Sequence, residues 1–136
     1  MSNYYLFLDD ERTPKDVTWV KLAPVYEGGW NVVRSYNDFV YAIQKFGAPF
    51  YVSFDHDLGD NAYAAAARGD EDYQGEKTGF DCAMWLVDYC HENDILFPNY
   101  QVHSMNPIGA KKIRDYIMNA SLVGFIRTPR RQPTPQ

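Results

Sequence analysis

Two clusters of acidic residues are the positions in this sequence best suited to chemistry. Each cluster begins where a short apolar run ends: Asp9 and Asp10 after residues 4–8, and Asp55, His56 and Asp57 after residues 50–54. Carboxylates beside buried strands are costly unless they are paired, hydrated or bound to a metal ion. Their oxygens suit Mg²⁺ or Mn²⁺, so we predict a divalent-cation site with Asp9, Asp10 and Asp55 as ligands and Asp57 as a further candidate. The alternative is that these aspartates only stabilise turns or helix starts.

Two histidines add groups that could transfer protons. His56 stands between two aspartates, and His103 follows another β-like run. Histidine is the usual general acid or base near neutral pH, and nearby carboxylates favour its protonated form. We predict that His56 and His103 activate water and protonate a leaving oxygen, with Asp55 as a metal ligand or, in a variant, a covalent nucleophile. For each histidine the alternative is a structural hydrogen bond, and Asp57 could orient His56 instead of binding a metal ion.

Several cationic and hydroxyl side chains could bind a phosphate group. Arg127 follows the last predicted strand and could make bidentate contacts, and Arg12 could do the same from the first loop. For both arginines the alternative is a surface position or a salt bridge to the acidic cluster, and for Arg12 the two possibilities are equal. Ser104 and Thr78 each precede a predicted helix start, where backbone N–H groups attract anions. For Thr78 the more frequent role of such a residue is only that of a helix cap, and for Ser104 the proline at position 107 removes one of the N–H donors.

Strands and helices alternate along the chain. Short apolar runs between polar turn residues predict the strands, and apolar residues spaced three to four apart predict the helices. Ser35, Thr78 and Asn106 each provide a helix N-cap. The predicted strands cover 4–8, 30–33, 50–54, 100–103 and 122–126, and the predicted helices cover 36–46, 79–92 and 107–120.

This alternation predicts an α/β fold with a mainly parallel sheet. Five strands at this spacing favour a flavodoxin-like, receiver-like three-layer sandwich with the strand order 2-1-3-4-5. In that order the first and third strands are neighbours, which brings both acidic clusters to one edge of the sheet. The link at 9–29 contains no convincing long helix, so we expect a degraded first crossover. A polar insertion at 60–77 could act as a lid.

Length, charge and composition limit the functional classes. The 136 residues predict one domain at 1–127 and a proline- and arginine-rich tail at 128–136. A net charge of −5 argues against an extended nucleic-acid surface. We find no apolar run of membrane-spanning length and no signal peptide, so we expect a cytoplasmic protein with Cys82 and Cys90 as free thiols.

The assembled residues resemble the receiver-domain superfamily. Receivers carry an acidic pair after the first strand, a phosphoacceptor aspartate after the third, Ser or Thr after the fourth and Lys after the fifth. The matching positions here hold Asp9-Asp10, Asp55, Ser104 or else His103, and Arg127. Arginine in place of the lysine argues against ordinary phosphorelay signalling.

A closer resemblance is to a receiver-like family of bacteria and phages, the cyclic-phosphate processing receiver domain. It is carried by the strings LFLDDERTP at 6–14, SFDHDLG at 53–59 and HSMNP at 103–107. The resemblance spans about residues 4–127 and implies a flavodoxin-like core. It also implies processing of cyclic phosphates, such as the 2′,3′-cyclic ends of RNA or related nucleotides, in the cytoplasm of the host if the protein is phage-encoded.

These expectations give one leading function and one alternative. The leading function is a metal-assisted phosphoesterase, a phosphoric ester hydrolase that acts on the cyclic phosphate of an RNA end or nucleotide with the help of Mg²⁺ or Mn²⁺. The alternative is a receiver-derived module that binds a nucleotide, or signals through a partner, without turnover.

Overall fold

The structure, a computed structural model, describes residues 4–24, 29–58, 69 and 77–129. Four strands and three helices alternate along these residues, and a short 3₁₀ turn at Pro14–Asp16 follows the first strand. The strands are β1 (Tyr5–Leu8), β2 (Trp30–Val33), β3 (Tyr51–Phe54) and β4 (Asn99–Val102), and the helices are α1 (Tyr36–Phe46), α2 (Gly79–Glu92) and α3 (Pro107–Leu122).

The four strands form one parallel sheet with the order β2-β1-β3-β4. Both central strands, β1 and β3, are buried along their whole length, as is typical of parallel sheets that are covered on both faces. Their register pairs Leu8 with Phe54, so the chain leaves both strands at the same edge of the sheet. The predicted adjacency of the first and third strands is therefore confirmed.

All three helices pack on one face of the sheet and form the main core with it. Alternate residues of the central strands point to this face, including Leu6 of β1 and Phe54 of β3. They contact Ile43 of α1, Leu86 of α2 and Ile113 of α3 within one buried cluster. Each such side chain contributes about 1.5–3 kcal/mol when fully buried, so this face anchors the strands that carry the acidic residues.

Each helix begins at its predicted cap. A side-chain oxygen of the cap accepts a backbone N–H three residues later, which satisfies one of the donors left free at a helix start. The pairs of cap and donor are Ser35 with Asp38, Thr78 with Asp81, and Asn106 with Gly109. The predicted helices at 36–46 and 79–92 are confirmed with the same bounds, and the third begins as predicted at Pro107.

The opposite face of the sheet is covered by the segment at 17–24. The Trp19 indole donates to the backbone carbonyl of His103 at 2.7 Å, and the Gln101 side chain accepts the Ala23 N–H at 2.8 Å. Between β1 and β2 the described residues contain only the 3₁₀ turn, so the degraded first crossover is confirmed. The expected three-layer sandwich becomes, in the described part of the chain, a sheet with helices on one face and an extended segment on the other.

The predicted fifth strand at 122–126 is wrong. Helix α3 continues through Leu122, and Gly124 follows in a left-handed conformation with a φ of 79°. The Phe125 N–H donates to the Ala120 carbonyl at 2.9 Å, which is the pairing of a Schellman motif at a helix C-terminus. The β-like run is the end of a helix, and the sheet has four strands within the described ranges.

Some predictions fall on other parts of the chain. The insertion at 60–77 and the tail at 128–136 lie almost entirely outside the described residues, so their predicted roles stay predictions. Cys82 and Cys90 are buried free thiols, as expected. Within the described ranges, none of the helices has both the length and the apolar composition that crossing a membrane requires.

Candidate functional site

Asp9, Asp55 and His103 come together at the carboxyl edge of the three adjacent strands β1, β3 and β4. One possible ligand atom from each residue lies within 4.8 Å of the other two, and all three residues are buried. The ladder of the sheet extends into this group, because the Asp55 N–H donates to the Leu8 carbonyl at 3.0 Å and the His103 N–H donates to the Phe54 carbonyl at 2.9 Å. We call Asp9, Asp55 and His103 the edge cluster.

Asp9 is surrounded by hydrogen-bond donors. Its Oδ1 accepts the backbone N–H groups of Glu11 at 3.0 Å and Arg12 at 2.8 Å, and its Oδ2 lies 3.0 Å from His103 Nε2. Burial alone would raise the pKa of Asp9, but the hydrogen bonds from His103 and from the two backbone groups outweigh burial and hold this pKa well below its usual range. Asp9 is therefore a carboxylate at neutral pH.

Asp55 has fewer donors and is harder to ionise. Its Oδ1 accepts the backbone N–H of His56 at 2.9 Å, and its Oδ2 lies 3.9 Å from Arg12 Nη1. Burial, followed by the charge of Asp9, raises the pKa of Asp55 from 3.8 to about 6. Two neighbouring carboxylates thus have pKa values shifted in opposite directions, a pattern that is common at functional sites.

His103 is completely buried, and both of its ring nitrogens have partners. Nδ1 lies 2.7 Å from the Ser53 hydroxyl and Nε2 lies 3.0 Å from Asp9, while the ring stacks on Phe7 with centroids 4.4 Å apart. If Nε2 carries the proton of the neutral ring and donates a hydrogen bond to Asp9, then Nδ1 accepts a hydrogen bond from the Ser53 hydroxyl. The structure therefore favours the structural hydrogen bond for His103. Ser53 was not among the predicted site residues, although a hydroxyl within a buried and otherwise apolar strand indicates a side chain with a specific hydrogen-bond partner.

Arg12 lies over the edge cluster as its counter-charge. Its Nη1 is 3.4 Å from Asp9 Oδ2 and 3.9 Å from Asp55 Oδ2. The guanidinium also stacks on Trp19, 5.0 Å from the ring centroid, in a cation–π contact. Arg34 donates to the backbone carbonyls of Asp9 and Arg12 and so fixes the loop that carries both. The salt bridge predicted as one alternative for Arg12 is present, and its contact with phosphate stays a prediction.

His56 lies against the first turn of α3. Its Nδ1 is 2.8 Å from Asp57 Oδ1, and its ring packs so closely on Gly109 that a Cβ there would lie 2.4 Å from the ring Cγ. The backbone carbonyl of His56 accepts the Gly79 N–H at 2.7 Å. His56 is thus held between the starts of two helices, and Asp57 is in the orienting position that was one of its predicted roles.

Asp10 and Asp57 lie outside the one cluster of possible metal ligands found in the described part of the chain. Asp10 is half-buried beside Asp9. The side chain of Asp57 is 70% exposed, and it contacts His56 and Asn106. Metal binding by Asp10 and Asp57 therefore stays a prediction.

Thr78 and Ser104 both stabilise local backbone at helix starts. The Thr78 hydroxyl accepts the Asp81 N–H at 3.3 Å, and the Thr78 N–H donates back to the Asp81 carboxylate at 2.7 Å. The Ser104 hydroxyl accepts the Asn106 N–H at 3.1 Å, just before α3. Capping, the alternative for Thr78, is what the structure contains, whereas Ser104 stabilises the turn that leads into Asn106, the N-cap of α3. Phosphate contacts by either residue stay predictions.

Arg127 lies away from the edge cluster. Its backbone carbonyl accepts the N–H of Phe97 at 2.8 Å, and Phe97 precedes β4, at the amino edge of the sheet. Its guanidinium donates to the Asp94 carboxylate at 3.2 Å. The expectation that Arg127 enters the site from a fifth strand is therefore wrong, because the segment before it is a helix end.

A groove of about 730 Å³ also lies at the amino edge of the sheet. None of its described lining residues carries a charge, so within the described residues the groove lacks the charged side chains that bind a phosphate or a metal ion most strongly. Its larger apolar lining residues are Phe46, Phe50, Tyr89, Ile95, Leu96 and Phe97. This groove lies at the edge of the sheet opposite the edge cluster.

Comparison with known protein families identifies the family to which the chain belongs. The comparison with family models matches residues 4–119 to the Cyclic-phosphate processing Receiver domain, a region that includes the whole edge cluster and His56. Comparisons with curated proteins and with solved structures give no significant match. Because the matched region covers most of the chain, this protein belongs to the family of cyclic-phosphate processing receiver domains.

Proposed function

We propose that this protein is a metal-assisted phosphoesterase that hydrolyses a cyclic phosphate, either at the 2′,3′-cyclic end of an RNA or in a related nucleotide. The observation that carries this proposal is the edge cluster, in which two buried carboxylates and a histidine place possible ligand atoms within 4.8 Å of one another. Membership of the family supports the substrate class, since the family is described by its processing of cyclic phosphates.

The donor atoms of the edge cluster fit a hard divalent cation. Burial and the neighbouring charge of Asp9 raise the pKa of Asp55 to about 6, and a cation held by both carboxylates would relieve that unfavourable charge. Carboxylate oxygens favour Mg²⁺ or Mn²⁺, with Asp10 as a further ligand from the same loop. When bound, such an ion supplies Lewis-acid stabilisation of charge on phosphoryl oxygens.

Hydrolysis of a cyclic phosphodiester adds one water molecule and opens the ring. The water oxygen forms a bond to phosphorus, one P–O bond to the ribose breaks, and the leaving oxygen takes up a proton to give a phosphomonoester. Arg12 would neutralise charge on the non-bridging oxygens, because its side chain is 31% exposed above the cluster. His56 would transfer the proton through Nε2, since Asp57 occupies Nδ1 and none of the residues that the structure describes is a hydrogen-bond partner of Nε2.

His103 holds Asp9 in place in this mechanism and does not share the acid and base roles. Its burial removes it from contact with a substrate, and its Nε2 is already 3.0 Å from Asp9 Oδ2. Ser53 fixes the opposite ring nitrogen. A histidine held in this way orients its carboxylate partner, as such pairs do in metal sites.

Binding without turnover is the second candidate function, and the burial of His103 favours it. Two histidines were expected to share proton transfer, but in the described part of the chain His56 is the one placed to meet a substrate. A site with a single such group could capture a nucleotide, or signal through a partner, without efficient hydrolysis.

The test is a product assay with a panel of substrates. Purified protein is mixed with 2′,3′-cyclic mononucleotides, RNA that ends in a 2′,3′-cyclic phosphate, and cyclic oligonucleotides, each with Mn²⁺, Mg²⁺ or EDTA. We expect a metal-dependent phosphomonoester product that is lost in D55N and retained in D88N, since Asp88 is an exposed aspartate of α2. Tight binding of intact ligand, unaffected by H56A, would support the second function instead. Absence of both product and binding would overturn both functions.

A further inference from the structure

The first turn of α3 accommodates the His56 ring because residue 109 is glycine. A Cβ on Gly109 would lie 2.4 Å from the ring Cγ and 2.7 Å from its Cδ2 and Nδ1, and real Cβ atoms essentially never approach closer than 3.0 Å. The helix itself has no need of this glycine: Gly109 is not among the residues with positive φ, and alanine is the better helix former. The glycine therefore serves the contact with His56.

Asp57 fixes the same ring from another side. Its Oδ1 lies 2.8 Å from His56 Nδ1, and its carboxylate also faces the Asn106 amide at 3.4 and 3.5 Å. Asn106 is the N-cap of α3, and its Oδ1 accepts the Gly109 N–H at 3.0 Å. His56 thus contacts Asp57, Asp57 contacts Asn106, Asn106 contacts Gly109, and Gly109 contacts the His56 ring. We call this closed set of contacts the circuit.

The circuit leaves one ring nitrogen for chemistry. A carboxylate at Nδ1 favours the tautomer that carries its proton on Nδ1, so that Nε2 keeps a lone pair when the ring is neutral. Across the residues that the structure describes, Nε2 has no hydrogen-bond partner, and the side chain is 15% exposed. The ring is therefore held in direction by packing and in tautomer by a hydrogen bond.

We propose that Gly109 and Asp57 are positioning residues that set the direction and the tautomer of His56, so that Nε2 is the nitrogen that exchanges a proton with the substrate. The identity of that substrate rests on the proposed function, whereas the positioning of the ring does not depend on turnover. If His56 only filled space, the tautomer of its ring would not depend on Asp57.

A double-mutant cycle in the full chain tests the contact between Gly109 and His56. G109A, H56A and the double variant are compared by thermal unfolding in EDTA. We expect G109A to lower the melting temperature when His56 is present and to leave it unchanged or raise it in the H56A background, where the clash is gone and alanine favours the helix. Additive effects of the two substitutions would overturn the contact.

The tautomer is tested by ¹⁵N NMR of the imidazole rings at a pH where the rings are neutral, with H56A to assign the signal. We expect a proton on Nδ1 in the wild type and a shift toward the Nε2–H form in D57A. Because the Asp57 side chain is 70% exposed, D57A should fold even if G109A does not. A wild-type ring with its proton on Nε2, or a tautomer that D57A leaves unchanged, would overturn the proposal.

Turnover measurements separate this inference from the proposed function. With 2′,3′-cyclic mononucleotides and Mn²⁺, we expect D57A and G109A to lower kcat by at least about tenfold while KM and Mn²⁺ affinity change by less than about threefold. If the wild type shows the Nδ1–H tautomer and the coupling but no turnover, the phosphoesterase fails and the positioning stands. Full kcat in both variants would overturn the role of the positioning in catalysis.

Discussion

Replacement of Asp55 by asparagine should stabilise the ion-free protein, even though Asp55 belongs to the proposed site. Burial and the charge of Asp9 raise the pKa of Asp55 from 3.8 to about 6, so folding favours the protonated form. Stability from a group with a raised pKa is fully present below the unfolded value and is lost as the pH rises through the folded value. At neutral pH the folded protein therefore carries an unfavourable carboxylate, and D55N removes it.

The size of the effect follows from the same two pKa values. The interval from 3.8 to about 6 corresponds to about 3 kcal/mol at 1.36 kcal/mol per pKa unit. Solvent screens little of this, because Asp55 is only 3% exposed. Asparagine keeps an oxygen for the His56 N–H but gives up the ion pair with Arg12, whose Nη1 lies 3.9 Å away. We therefore expect a gain of about 2–3 kcal/mol, or roughly 5–10 °C in melting temperature.

The assay is urea denaturation of the wild type and D55N in EDTA, repeated from about pH 4 to about pH 8. The difference in the free energy of unfolding should be smallest near pH 4, grow up to about pH 6 and stay constant above it. D88N, which removes an exposed carboxylate of α2, should follow the wild type. A D55N protein that is less stable than the wild type at pH 7.5, or a difference that does not change with pH, would refute the reasoning.

Four further outcomes are expected. D9N should lower the free energy of unfolding by about 3–5 kcal/mol at pH 7.5 in the same titration, because it removes the carboxylate that His103 and Arg12 share. The loss should persist down to about pH 4, because the pKa of Asp9 is held well below its usual range and the folded protein keeps this carboxylate throughout the titration; an effect no larger than that of D88N would contradict it. S53A should cost about 1–3 kcal/mol, since His103 Nδ1 loses its partner in a dry environment; an unchanged denaturation midpoint would show that Nδ1 does not depend on Ser53. R127A should leave turnover unchanged and alter stability by less than about 1 kcal/mol, because its ion pair with Asp94 is exposed; about a tenfold loss of kcat would place Arg127 in the site. Calorimetric titration with Mn²⁺ should give an affinity that rises up to about pH 6 and then levels off, because the proton on Asp55 competes with the ion; equal affinities at about pH 5 and about pH 7 would exclude Asp55 as a ligand.

The elements that carry the site could be predicted because several local signals agree at each of them. Helix α2 has the predicted bounds of 79–92 since a capping box marks its start at Thr78. The buried strands β1 and β3 are short runs of mainly apolar residues, and an aspartate follows each of them. Once these strands are neighbours in a parallel sheet, the meeting of Asp9 with Asp55 follows from the geometry of the sheet alone.

The features that could not be predicted depend on tertiary contacts or on a conflict between local signals. The run at 122–126 has strand-like composition, but the Schellman pairing around Gly124 makes it a helix end, so Arg127 was placed at the wrong edge. His103 was predicted to transfer protons, but its buried ring makes a structural hydrogen bond instead. The ring is buried because it contacts Ser53 and stacks on Phe7. Such contacts join residues that are far apart in sequence, and no local pattern records them.

The distribution of charge at the edge cluster explains why Asp55, and not Asp9, should be the group that responds to a ligand. Asp9 begins a loop whose own backbone N–H groups turn back onto its carboxylate, and His103 adds a further donor. The backbone carbonyl of Asp55 instead packs tightly against Gly79. One backbone N–H, that of His56, donates to the Asp55 carboxylate. The single guanidinium of Arg12 then faces the carboxylates of both Asp9 and Asp55. Because Asp55 has fewer hydrogen-bond donors, its negative charge is the less compensated of the two. A proton and a divalent cation would each offset that same charge, so the asymmetry between the two aspartates makes Asp55 the residue at which they compete.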